Sequence, residues 1–267
     1  SSRNAYNLVT FLGNHDMGRV ANLLLKNGAK ADTLLASTLF AHDLMFLNRG
    51  TPTVYYGDEI GMIGSGGDKA ARQNMFSTQN VEWQREARVT GGPIGTKNGL
   101  ADMANPILVR IQELNALRVK YPAIATGAQI VRGADGPIMV SSRIDAADKR
   151  EYLVGFNNAT TAKTLRVKTS SPSTQFTSIW GGAAAITSDA AGFVTVEVGP
   201  RGSVALRADN QLPQPAAAVK PVLRAAIDRD AKLMNLTATL ATADPATVSF
   251  AVKVGTAKTW TYLGSDD

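Results

Sequence analysis

The chain has 267 residues, 44% of them hydrophobic, which suffices for a sizeable core arranged as one large domain or two to three small ones. Its formal charge of +6 comes from 28 basic and 22 acidic residues with no basic run, a pattern that argues against a nucleic-acid surface. There is no cysteine, so disulfides, thiolate nucleophiles and thiolate metal sites are excluded within these residues. No apolar run approaches the roughly 20 residues of a bilayer span, and the opening Ser-Ser-Arg-Asn lacks the apolar core of a signal peptide.

Residues 7–12 read as a buried strand of parallel type that stops at Gly13-Asn14-His15-Asp16. This sets an amide, an imidazole and a carboxylate side by side at the C-terminal end of a strand, which in α/β barrels is where chemistry sits. Residues 31–48 read as a helix that is apolar nearly all round, with Asp32 as its cap and Gly50 as its stop. Residues 51–57 form a second short strand, so that strand, helix and strand make a parallel crossover unit. Because the first strand stands almost at residue 1, the elements that precede such a strand are expected upstream, in a longer parent.

A glycine-rich loop follows at 61–68; its segment 64–67 lacks the lysine of a phosphate-binding loop and reads as flexible. A helix is expected over 105–120, capped by Asn105, with Pro106 in its first turn, Ile107, Ile111, Leu114 and Leu117 on one face, and Pro122 just beyond its end. From residue 123 the period changes to two. Short strands at 129–132, 138–142, 152–156, 164–167, 177–180, 194–198 and 204–206 predict a β-sandwich. Residues 209–222 have linker composition, and 223–267, with candidate strands at 236–240, 247–254 and 259–263, read as part of a further β-module.

Taken alone, Gly13-Asn14-His15-Asp16 fits two chemistries. The pattern occurs in metallophosphoesterases, but a two-metal site needs several more ligands, and the one other histidine, His42, lies in an apolar helix and reads as a core residue. The second chemistry rests on three segments in order: Phe11-Leu12-Gly13-Asn14-His15-Asp16, then Gly50-Thr51-Pro52-Thr53-Val54-Tyr55-Tyr56-Gly57-Asp58-Glu59, then Asp68 to Phe76 with Arg72 and Met75. In these the chain resembles the α-amylase superfamily of glycoside hydrolases, whose seventh and eighth barrel strands and following loop carry such motifs. The variant Leu-Gly-Asn-His-Asp-Met-Gly-Arg is most similar to pullulanase-type and related bacterial α-glucan hydrolases.

The resemblance implies an α/β plus all-β fold. Residues 1–122 would be the C-terminal part of a catalytic (β/α)₈ TIM barrel, 123–208 an antiparallel β-sandwich, and 223–267 a partial module. It implies that Asp16 is the carboxylate that binds hydroxyls of the sugar at the cleavage point, and that His15 holds the same sugar. Asn14, Arg19 and Arg72 become substrate-binding candidates. Asn14 also suits the turn that aims its neighbours, Arg19 a surface ion pair, and Arg72 a loop anchor.

Retention needs two more carboxyls about 5 to 5.5 Å apart. The family takes them from its fourth and fifth strands, so the resemblance implies a chain inactive by itself, with no cofactor of its own and any calcium bound upstream. The implied partners are an α-glucan and the missing N-terminal barrel portion of the same protein, with neither nucleic acid nor membrane, in a secreted or periplasmic bacterial enzyme. A non-catalytic carbohydrate-binding or accessory fragment is the alternative. Tyr55 and Tyr56 read as barrel filling ahead of sugar platforms. Asp58 and Glu59, on an extended segment, point to opposite faces, with Glu59 a structural partner. Trp83, Trp180 and Trp260 are aromatic platforms by type, Trp180 favoured as core.

Overall fold

Val9–Phe11 (β1) and Thr51–Thr53 (β2) pair in parallel, Thr10 opposite Pro52, in the computed structural model, which describes residues 7–65, 68–75, 78–95, 103–213, 220–241 and 248–266. The expected burial of the first strand is corrected. Leu8, Val9 and Phe11 are exposed, because β2 is the one strand beside β1 among the described residues. The second strand is also shorter than expected. Residues 56–61 are turn rather than extended chain, so Asp58 and Glu59 are not set on opposite faces by a pleat.

Between the two strands run Val20–Lys26 (α1) and Ala31–Leu47 (α2). The first was not anticipated; its signal is the Leu23-Leu24-Leu25 run closed by Asn27 and by Gly28, whose φ of 90° is the left-handed conformation that ends helices. The second begins one residue after its cap, Lys30, whose backbone bonds the Thr33 hydroxyl. Asp32 therefore sits in the first turn, favourable for the helix dipole, and does not cap. His42 on α2 is fully buried, its Nδ1 is 2.8 Å from the Thr38 carbonyl, and burial lowers its pKa. It is a core residue.

Pro106–Lys120 (α4) follows the short Val81–Arg85 (α3). Asn105 accepts from the Ile107 amide, Pro106 occupies the first turn, and the four apolar residues at helical spacing are all buried. Pro122 does more than stop that helix, because it starts another turn, Pro122–Thr126 (α5). Arg118 of α4 donates to the Phe46 and Gly50 carbonyls, a cation set on the C-terminal end of α2. No helix among the described residues is long and apolar enough to cross a membrane.

Eight antiparallel strands follow. Ala128–Asp135 (β3), Ile138–Ile144 (β4), Glu151–Asn157 (β5), Lys163–Lys168 (β6), Gln175–Trp180 (β7), Ile186–Thr187 (β8), Phe193–Val198 (β9) and Gly202–Ala208 (β10) form a six-stranded sheet, β3-β4-β5-β10-β7-β8, and a two-stranded one, β6-β9. The central strand β5 is buried at every residue, since both faces of the large sheet are covered. Tyr152, Val154 and Phe156 join the core of α2, α4 and α5, whereas Leu153 packs with Val194, Val196 and Val198 of β9. Gly155 lies on that second face. A Cβ there would stand 2.9 Å from Val198, so glycine permits the close approach of the two sheets.

Residues 4–212 are thus one unit, in which the two predicted domains, 1–122 and 123–208, share a core. The proposed linker starts later than expected. Asp209 accepts from Thr177 and Gln175, and Leu212 donates to the Lys149 carbonyl. Residues 214–219 lie outside the described residues. The second unit, from Pro213 onward, consists of two hairpins, Val222–Asp228 (β11) with Leu233–Thr239 (β12), and Val248–Val252 (β13) with Thr261–Asp266 (β14).

One buried charge ties helix to sheet. Asp43 of α2 accepts from Ser203 of β10 at 2.7 Å, with Arg110 of α4 3.7 Å from its other oxygen; Ser203 also accepts from Trp180, whose ring lies under Arg110. Burial pushes the Asp43 carboxyl up to about 6. A folded pKa above the unfolded value means that this group favours folding most below about pH 4, and that the contribution is lost as pH rises through 6. Asp43→Asn keeps an acceptor for Ser203 and has no charge to desolvate. We expect its unfolding free energy in urea to fall less between pH 4.5 and 7.5 than that of the parent, by about 2 kcal/mol. Parallel pH profiles would contradict this.

Candidate functional site

The turn after β1 is built by Asn14. Its side-chain carbonyl accepts from the amides of Asp16 at 2.8 Å and Met17 at 3.1 Å, an Asx turn that aims the two residues between. Of the two sequence readings of Asn14, the structure shows the turn-forming one. His15 and Asp16 project into solvent, their side chains 63% and 67% exposed, with Nε2 of His15 3.1 Å from Oδ2 of Asp16. The other Asp16 oxygen faces Arg72 at 3.5 Å.

Arg72 comes from a 3₁₀ turn, Lys69–Arg72, and does three things at once. Its Nε donates to the His15 carbonyl at 3.0 Å, and one terminal nitrogen reaches both Asp16 and Asp68, the latter at 2.7 Å. Arg72 therefore anchors its own loop and also stands at the site. Exposed ion pairs of this kind add only about 0 to 1 kcal/mol to stability. Their effect here is orientation: an accessible carboxylate is flanked by two donors and free to accept hydroxyl hydrogens from a ligand.

Arg19 corrects the sequence reading. It is neither at a cleft rim nor in a surface pair; it is fully buried. Its guanidinium pairs with Asp58 at 2.7 Å, donates to the carbonyls of Tyr56 at 2.7 Å and Ala71 at 2.9 Å, and reaches Gln73 at 3.3 Å. Tyr55 and Tyr56 stack edge to face beside it, with ring centroids 4.8 and 5.4 Å from the cation. Tyr56 is exposed and Tyr55 half-buried, and the pair covers Arg19.

The buried arginine thus fastens the turn after β2 and the 3₁₀ turn to the segment that carries Asp16. Burial nevertheless pushes Asp58 up to about 6, Arg19 opposing the shift, and pushes Tyr55 up to about 12. Gly57, at φ 90°, is required at this contact: a Cβ would stand 3.1 Å from the guanidinium and still closer to Met62. Glu59 accepts from the Gly57 amide at 2.7 Å, a structural contact.

No cluster of three or more metal-type side chains occurs among the described residues. Residues 1–93 match the family model of the alpha-amylase catalytic domain. An alpha-amylase of Streptomyces lividans is 39% identical in an alignment covering 99% of this chain and 29% of that protein. Over its first 93 residues the chain is similar to the alpha-amylase family. That match decides between the two chemistries of Gly13-Asn14-His15-Asp16, which the tetrapeptide alone left open.

A cyclomaltodextrin glucanotransferase of Bacillus sp. strain 17-1 is 29% identical over 65% of this chain and 20% of its own length. The fold agrees with solved alpha-amylases. An Anoxybacillus enzyme superposes with a TM-score of 0.55 at 16% identity, covering 79% of this chain and 39% of that one. A Geobacillus thermoleovorans alpha-amylase, solved with acarbose, gives 0.56 at 16% identity over 77% and 39%. The chain spans less than a third of its alpha-amylase relative from Streptomyces.

Proposed function

We propose that the chain supplies one wall of the active site of a retaining glycoside hydrolase acting on α-glucans. Asp16 accepts hydrogen bonds from hydroxyls of the sugar at the cleavage point, and His15 holds the same sugar. The observation that carries this reading is the accessible Asp16 carboxylate, held between His15 and Arg72 at the C-terminal end of β1, inside the stretch matched by the alpha-amylase catalytic domain. Charge-assisted contacts to hydroxyls are worth about 1.5 to 3 kcal/mol each. They strengthen as the ring becomes cationic in an oxocarbenium-like transition state, so part of their energy appears in the rate.

In this proposal residues 1–122 are the C-terminal part of a (β/α)₈ barrel. The parallel pairing of β1 with β2 supports it, as do the exposed Leu8, Val9 and Phe11, a surface that further barrel strands and helices would cover. The nucleophile and the acid/base lie in the part of the parent outside these residues, because no carboxylate here fits the family's motifs for them. Calcium, if the parent uses it, belongs there too. The named relatives favour a starch-type α-glucan over pullulan, and the parent would be secreted or periplasmic.

Purified chain incubated with soluble starch is expected to release no reducing sugar above an Asp16→Ala control. In glycogen-containing gels it is expected to be retarded, and Asp16→Ala less so. Hydrolysis above the control would overturn the assignment of the missing carboxylates, and absence of any retardation would overturn the assignment of the sugar contact.

A further inference from the structure

We propose that the cavity between α2 and the large sheet binds a small amphipathic carboxylate, an apolar tail ending in a carboxyl group, with Arg201 as its anchor. The cavity measures about 360 Å³, within the range of about 300 to 1,000 Å³ usual for small-molecule sites. Leu24 of α1, Phe40 and Leu44 of α2, Met139 of β4 and Phe156 of β5 give it apolar walls. Among these stand the Arg201 guanidinium, the Ser37 hydroxyl and the Asn158 side-chain amide, all hydrogen-bond donors. No aspartate or glutamate among the described residues lines it, and neither Asp16 nor His15 takes part.

The half-buried Arg201 has no counter-ion. Its guanidinium donates to Ser37 at 3.2 Å, its Nε is buried without a hydrogen-bond partner, and no ion pair reaches it among the described residues. Elsewhere the buried guanidiniums are satisfied, Arg19 by Asp58, Arg132 by Glu151, and Arg143 by two carbonyls and Gln129. The backbone of Arg201 is strained as well. At φ 40° it is left-handed, a conformation that a residue with a Cβ adopts only at a cost. The turn is held in place regardless: the Arg201 amide donates to the Ala159 carbonyl at 2.8 Å, and the Asn158 amide to the Pro137 carbonyl at 3.0 Å. The site is therefore built before any ligand arrives.

These features select the class of ligand. A cation would be repelled by Arg201, and an uncharged apolar molecule would dry the cavity while leaving the guanidinium uncompensated. A small inorganic anion would pair with Arg201 but leave the apolar walls wet. A carboxylate on an apolar chain meets both demands. Its oxygens accept from the guanidinium, with Ser37 and Asn158 as further donors, and its chain lies along Phe40, Leu44 and Phe156.

Isothermal titration of the 267-residue chain with octanoate, kept below its micelle concentration, tests this. A single saturable site is expected, with acetate and octanol each binding about tenfold more weakly, since one lacks the tail and the other the charge. Arg201→Gln should lower octanoate affinity about tenfold and melt no lower than the parent, because it has no unpaired cation to desolvate. Ala41→Leu, which fills the cavity from α2 and keeps the cation, should lower the affinity as far. Octanol bound as tightly as octanoate, or octanoate bound equally by Arg201→Gln, would overturn the site, as would a parent chain that binds no octanoate. Melting of Arg201→Gln well below the parent would overturn it too, by making Arg201 a structural partner of Ser37. A dimer in sedimentation that Arg201→Gln dissolves and octanoate does not would put a second copy in the cavity instead of a carboxylate.

Discussion

Arg19→Met should lower the stability of the unit formed by residues 4–212 by about 3 to 5 kcal/mol, the usual cost of removing one partner of a buried ion pair. Methionine can occupy much of the volume, so the loss would come from chemistry. Asp58, its side chain 4% exposed, would keep its carboxylate without a counter-ion, and the Tyr56 and Ala71 carbonyls would lose a donor. Asp58 already stands at about 6 with Arg19 beside it, and without the cation it rises further. A raised carboxyl pKa costs stability as pH climbs past it, so the deficit should be larger at pH 8 than at pH 5. Urea unfolding at the two pH values reads both effects. A deficit below 1 kcal/mol, or one that does not change with pH, would contradict the account. Arg19→Met with Asp58→Leu should recover part of the loss, because an apolar pair leaves no stranded charge.

Glu151→Ala should be comparably severe, again about 3 to 5 kcal/mol, in the β-sandwich. Glu151 is wholly buried on β5 and satisfies Arg132 at 2.6 Å, the Ser142 and Ser171 hydroxyls and the Ser170 amide. It joins β3, β4 and β5 to the segment that follows β6. Removing it strands the Arg132 guanidinium, which is 8% exposed. Arg132→Met should cost far less stability in the Glu151→Ala background than in the parent chain. Additive losses in that double-mutant cycle, read by thermal unfolding, would show that the two groups do not act as a pair.

Much of the fold is legible in the residues, and the exceptions have physical causes. The α4 signal was complete, with a cap, a first-turn proline and four apolar residues on one face, and the structure has all of them. The seven expected strands of the sandwich are present; the two-residue β8 is too short to show alternation. The helix α3 has five residues, below what periodicity can reveal, and only the Asn80 cap signals it. Asp16, His15 and Arg72 meet in space although 56 residues separate Asp16 from Arg72, a juxtaposition readable through the family motifs and not from local pattern. The burial of Arg19 is hidden for a different reason: an arginine near a polar motif reads as surface, and its burial depends on Asp58 and Gln73, 39 and 54 residues away. No local rule connects them.

The large sheet touches helices on one side and β6-β9 on the other, and this limits where the chain can be divided. Scission at residue 122 would give each half a greasy seam, Phe46 and Leu114 on one piece, Val154 and Phe156 on the other, neither able to stay dispersed by itself. Shuffling of modules, by evolution or by engineering, is therefore ruinous at a boundary that parts α2 and α4 from β5. The sandwich travels with its helices as cargo bolted to the frame.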